Sequence, residues 1–198
     1  DGQPFVPHYF PYDVEVNRTG SMPLEESVGN VPRLNATTKM EKDLLVVDTR
    51  PQEQFKEGHV QAAINIMNGG KFETWLGSIV KPEESYYLIA ESEEVLDEVI
   101  RKAAKIGYEK QIKGAMVAPT LTEKSSPEFD LEDFRQHPEA YNVVDLRNVS
   151  EGEKVFDHAQ RIPLPELRER AEEVNTNKPV VVHCAGGYRS AAGSSILE

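Results

Sequence analysis

The 198-residue chain has one cysteine, Cys184, and its surroundings are specific: Val181-Val182-His183-Cys184-Ala185-Gly186-Gly187-Tyr188-Arg189-Ser190-Ala191-Ala192. An apolar strand runs into a six-residue loop with two glycines, and the loop opens a helix. Thiolate is the nucleophilic form of cysteine, and the pKa of free cysteine, about 8.5, must fall for that form to dominate at neutral pH. A loop at a helix N-terminus lowers it, because unpaired backbone N–H groups and the positive end of the helix dipole both favour an anion. Gly186 and Gly187 allow successive N–H groups to turn inward, and Arg189 supplies a permanent positive charge. A cradle built from Ala185, Gly186, Gly187, Tyr188, Arg189 and Ser190 suits a thiolate, a terminal persulfide sulfur or an attacking oxyanion. His183 abuts the thiol, but strand alternation turns its side chain away from that of Cys184, which makes it a poor general base. Tyr188 stands near the mouth of the loop, where it could contact a ligand.

The elements that must hold this loop are written twice. Leu44-Leu45-Val46-Val47 is a short apolar run suited to a strand buried on both faces, and it ends in Asp48-Thr49-Arg50. Val143-Val144-Asp145-Leu146-Arg147 repeats the phrase 97 residues later. Further anchors follow in order: Glu53 with Glu151 or Glu153, His59 with His158, and Ala63-Ile64-Asn65 with Arg161-Ile162-Pro163. Tyr86-Tyr87-Leu88-Ile89 and Val180-Val181-Val182-His183 read as matching strands. Val95, Leu96, Val99, Ile100, Ala103 and Ala104 recur at helical spacing until Gly107, and Pro165 suits the first turn of a helix carrying Leu167, Ala171 and Val174. Asp130 can cap a short helix over Leu131 to Arg135. Strands alternating with helices predict an α/β chain of two domains, each a small, mostly parallel sheet flanked by helices. The first spans 27–122 and the second 126–198, with a polar linker over Thr122 to Pro127 and a connector over 1–26.

Because Asp48, Arg50, Asp145 and Arg147 occur in both copies, they are expected to be structural, an ion pair or strand-end cap. The same reasoning covers His59 and His158. The loop of the first copy, Ala90-Glu91-Ser92-Glu93-Glu94, has no thiol, glycine or arginine and carries three carboxylates, so it is expected to hold no persulfide. Only 14 residues follow Cys184, so the second domain reads as incomplete at its C-terminus and the chain as a fragment.

Composition narrows the partners. There are 22 basic and 34 acidic residues, for a formal charge of -12, and no basic stripe that could neutralise a nucleic-acid backbone. No stretch of 18 apolar residues exists to span a membrane, and the start lacks the layout of a signal peptide. The lone cysteine excludes an intramolecular disulfide and a cysteine-rich zinc site, which fits a reducing, cytoplasmic setting. Five scattered histidines give no metal site.

The Cys184 loop resembles the active-site loop of rhodanese-family sulfurtransferases: a cysteine, a small loop with glycine and arginine, then a serine opening a helix. Upstream, Asp48-Thr49-Arg50, Phe55, Glu57-Gly58-His59-Val60 and Ala62-Ala63-Ile64-Asn65-Ile66 are similar to that family's opening signature. The resemblance implies a tandem rhodanese in which Cys184 takes sulfane sulfur from thiosulfate or a thiol persulfide and passes it to a thiol or cyanide. It implies that Cys184 and Arg189 are catalytic, that the loop binds the anion, and that neither metal nor cofactor is needed. Phosphatases with a related loop place five residues between cysteine and arginine, which would require an arginine at Ser190; the smaller ring favours sulfur. The opening Pro7-His8-Tyr9-Phe10-Pro11 and Val14 to Gly20 resemble the connector of bacterial proteins that join a metallo-β-lactamase-fold domain to tandem rhodaneses, which are similar to persulfide dioxygenases. That resemblance implies an upstream domain of that fold as a partner. The alternative is a non-catalytic rhodanese-like binding or scaffold module of a multidomain sulfur-metabolism protein.

Overall fold

The computed structural model describes residues 9–12, 23–118, 123–153 and 155–198. The connector motif, apart from Tyr9 to Tyr12, lies outside the described residues. The chain is α/β and divides after Ser125 into two compact units.

In the first unit, α1 (Leu24–Gly29) precedes β1 (Leu45–Asp48), α2 (Gln52–Glu57), β2 (Ala63–Asn65), α3 (Phe72–Ile79), β3 (Tyr86–Ala90), α4 (Glu93–Ala104) and β4 (Ile112–Val117). The strands form one parallel sheet in the order β2-β1-β3-β4. All five residues of β3 are buried, as a central strand covered on both faces requires. The helical face expected around Leu96 forms α4: Ser92 accepts from the Val95 N–H at 3.3 Å, and Leu96, Val99, Ile100 and Ala103 are buried.

This unit takes in chain that composition assigns to linkers. Residues 9–12 make a helical turn although Pro4, Pro7 and Pro11 argue against regular structure there; a single turn needs no amide from Pro11. The Tyr12 hydroxyl donates to the Gly107 carbonyl at 3.2 Å, and its ring meets Tyr108 edge-on. In α1, Ser27 and Val28 are buried and the Ser27 hydroxyl donates to Glu109. At the other end the Lys124 backbone pairs with that of His59.

The second unit carries α5 (Leu131–Gln136), β5 (Asn142–Asp145), β6 (Gln160–Arg161), α6 (Leu164–Arg170), β7 (Val180–His183) and α7 (Tyr188–Leu197). Asp130 caps α5, accepting from the Glu132 and Asp133 amides at 3.0 and 2.9 Å. The sheet is parallel, in the order β6-β5-β7. The face expected over Leu167, Ala171 and Val174 is split: α6 stops at Arg170 and 171–173 tighten into a 3-10 turn, with Leu167 and Val174 buried and Ala171 only half-buried.

Hydrogen-bond register corrects two of the paired anchors. Asp48 lies opposite Asn65 and Ile89, and Asp145 lies opposite Arg161 and His183. Arg161 therefore stands where Asn65 does, and Ala159, donating to the Phe156 carbonyl, where Ala63 donates to that of Val60. The connection is one residue shorter in the second unit, not longer. His59 and His158 accordingly do not correspond. His59 is buried, stacked on Phe55 with ring centroids 3.9 Å apart and Nδ1 2.9 Å from the Phe55 carbonyl, whereas His158 is exposed.

Candidate functional site

The chain leaves β7 at His183 and enters α7 at Tyr188, so the loop is four residues long, Cys184 to Gly187. Tyr188, Arg189 and Ser190, read from sequence as loop and helix opening, are the first turn of α7. Gly187 makes the corner at φ 84°, a left-handed conformation that an L side chain resists. Its N–H then points at the thiol, 3.1 Å from Cys184 Sγ. The Ser190 hydroxyl lies 3.5 Å from the same sulfur and donates to the Gly187 carbonyl at 2.8 Å.

Cys184 is half-buried. Burial pushes its thiol up, but the Ser190 hydroxyl and the backbone N–H groups of Gly186, Ser190 and Gly187 outweigh it, and the net shift is downward. Neutral donors at a helix N-terminus therefore do most of the stabilising. Ala185, Gly186 and Gly187 are exposed and Tyr188 is half-buried.

Arg189 does not simply face the sulfur. Its guanidinium grips Glu151, Nη1 to Oε1 at 2.5 Å and Nη2 to Oε2 at 2.8 Å, a two-pronged ion pair. Hydrogen bonding to Arg189 is the main reason the Glu151 carboxyl is held down at about 2. The Asn148 amide also donates to Glu151 at 2.9 Å, within a capping box on the turn 149–151. In the sequence Glu151 stands out only as a repeat anchor. The Asn-x-x-Glu spacing just beyond Asp145-x-Arg147 signals the cap, but nothing local signals a partner 38 residues away.

The Asp-x-Arg phrases close the strand ends as expected. Arg50 Nε and Nη2 hold Asp48 at 3.0 and 2.7 Å, and Nη2 also donates to the Gly58 carbonyl. Arg147 holds Asp145 in the same manner and donates to the Glu153 carbonyl. Asp145 gains a second cation, Arg161, at 2.9 Å. Burial raises the Asp145 carboxyl, but Arg147 and Arg161 overcome this and leave it far below the usual carboxylate range. His183 packs edge-on against Phe156, with Nδ1 3.7 Å from Asp145, so it belongs to this cluster.

The matching position in the first unit is Ala90, fully buried at the end of β3. Only Glu91 and Ser92 separate it from α4, and Glu91, Glu93 and Glu94 are exposed. Gln54 donates to Glu91 at 3.1 Å, and Arg33 pairs with Glu93. Among the described residues no three His, Cys, Asp or Glu side chains gather as a metal site. No helix among them is long and apolar enough to cross a membrane.

Residues 34–113, less than half of the chain, match the family model described as Rhodanese-like domain. A putative sulfur carrier protein of Bacillus subtilis is 35% identical over 78 residues, spanning 37% of this chain and 42% of that protein. An uncharacterized protein of the same organism is 32% identical over 84 residues, 41% of this chain and 60% of its own length. The chain thus spans less than two thirds of either relative. A solved thiosulfate sulfurtransferase from Pseudomonas aeruginosa aligns with 89% of this chain and 39% of its own at 13% identity and a TM-score of 0.30, a likeness too slight to bear on the fold.

Proposed function

We propose that the chain is a rhodanese-type sulfurtransferase whose sulfur is carried on Cys184, with two copies of one domain in tandem. The carrying observation is the Gly187 N–H, 3.1 Å from a half-buried sulfur whose pKa lies below that of an ordinary thiol. The family match at 34–113 and the sulfur-carrier relative support the same chemistry.

In the first half-reaction the Cys184 thiolate attacks the sulfane sulfur of the donor. The donor S–S bond breaks, and its electron pair leaves on sulfite (from thiosulfate) or on a thiolate (from a thiol persulfide). The Cys184 persulfide is monoanionic, and its terminal sulfur meets the loop N–H groups. An acceptor thiolate or cyanide then attacks that sulfur and Cys184 departs as thiolate, a two-step route with a covalent intermediate. Arg189 bounds the cradle, and the chemistry needs no metal or cofactor.

The first unit, with Ala90 in the cysteine position and carboxylates around it, fits the scaffold role. A metallo-β-lactamase-fold domain is the upstream partner that the opening segment's resemblance supports.

The test is intact mass after incubation with thiosulfate or a thiol persulfide, then with a reducing thiol, beside Cys184→Ser. One sulfur gained, lost on reduction and absent from C184S supports the carrier. No adduct from any donor would leave the scaffold reading for both units.

A further inference from the structure

Both terminal nitrogens of Arg189 are engaged by Glu151, so the only cation in the first turn of α7 meets its anion before any substrate arrives. The other nearby cations are engaged by Asp145. Arg147 and Arg161 share that one carboxylate, and Arg147 Nη2 and Arg161 Nη1 also donate to the Glu153 and Gly152 carbonyls. The groups hydrogen-bonded to the sulfur are neutral, the Gly187 N–H and the Ser190 hydroxyl among them, and the Arg189 charge acts on it only through space. A donor with a single negative charge needs no more than these. A second charge has no unmatched cation to meet at Arg189 and is repelled by Glu151.

From this arrangement we infer that Glu151 is a specificity-determining residue, one that makes the Cys184 site favour singly charged sulfur donors over dianionic ones. The inference rests on the sulfur-transfer reading above. Glu151 acts through Arg189 and the field at the loop, and so is a positioning residue.

Thiosulfate and methanethiosulfonate separate charge from reactivity closely, since a methyl group replaces one anionic oxygen. Each gives its sulfane sulfur to the Cys184 thiolate; one S–S bond forms and one breaks, and the electron pair leaves on sulfite or on methanesulfinate. The measurement is kcat/KM for both donors with cyanide as acceptor, together with Cys184 persulfide formation by intact mass. Glu151→Gln keeps an oxygen for the Asn148 amide, preserving the cap while removing the charge. In E151Q the thiosulfate value should rise about tenfold more than the methanethiosulfonate value, the size of effect a neighbouring unit charge has at a partly exposed site. Glu151→Ala, which removes cap and charge together, should shift the ratio the same way even if both rates fall.

An unchanged ratio in both variants, with sulfur still loaded on Cys184, overturns the inference and leaves the sulfurtransferase standing. Equal losses with both donors mean that Glu151 only props the loop, which also overturns it. No sulfur on the wild-type thiol from either donor overturns the sulfur-transfer reading and takes the inference with it.

Discussion

The Ser190 hydroxyl has one proton and two acceptors in reach, the Gly187 carbonyl at 2.8 Å and Cys184 Sγ at 3.5 Å. While the thiol is protonated the hydroxyl can serve the carbonyl; once the thiolate forms, donation to sulfur is worth more, because hydrogen bonds to charged groups are the stronger ones. Alkylation of Cys184 by iodoacetamide should therefore inflect with pH below the value of an ordinary cysteine. Ser190→Ala should move the inflection upward by about one unit, since a hydrogen bond to an ion contributes roughly 1.5 kcal/mol. Asp145 tests a different balance: its carboxyl is almost fully buried between Arg147 and Arg161. Asp145→Asn leaves two guanidiniums short of an anion and should cost about 3 kcal/mol in denaturant unfolding. The Asp145 pKa is lower folded than unfolded, so its stabilisation is complete above the unfolded value of about 3.9 and is lost as pH falls below it. Melting between pH 5 and 2.5 should show that acid loss in the wild type and a shallower one in D145N.

Two glycines in one short loop have different jobs. Gly187 sits at φ 84° and aims its N–H at the sulfur, whereas Gly186 has no such constraint, and a methyl group at Gly186 would meet nothing within 4 Å. Gly187→Ala should introduce about 1 kcal/mol of backbone strain, raise the Cys184 pKa and slow persulfide formation, while Gly186→Ala should leave all three near wild type. Comparing the two by mass and by alkylation checks that the corner matters rather than loop flexibility in general. Six residues on, a Cβ at Gly193 would come 2.3 Å from Cδ1 of Leu146, the residue that follows β5, so glycine there lets α7 pack closely against that strand's end. Much of this could be read from sequence: the strand into Cys184, the glycine corner, the helix behind it and the Asp-x-Arg strand ends are all encoded within a few residues. The partner of Arg189 could not, because Glu151 reaches it across the fold. The pairing of His59 with His158 failed for a related reason, since a one-residue difference in the connection changes register without changing composition.

Only one of the two units places a thiol after the strand that follows its Asp-x-Arg strand end in the sheet, Cys184 after β7 against Ala90 at the end of β3, and the difference is more than one substitution deep. Ala90→Cys in a C184S background should gain no sulfur from thiosulfate or a thiol persulfide, because Ala90 is fully buried, α4 follows after two residues and the neighbouring side chains are acidic. Intact mass of that double variant decides it, and a sulfur adduct would show that the first unit needs only the nucleophile. The closed pair of Glu151 and Arg189 has a further effect at a distance. Its two charges cancel within a few ångströms, so it projects little positive field into solution, and an approaching anion meets chiefly the net charge of -12. Diffusional encounter with an anionic donor is then uphill, and added salt, by shortening the Debye length, should quicken capture where a cationic active site would be slowed.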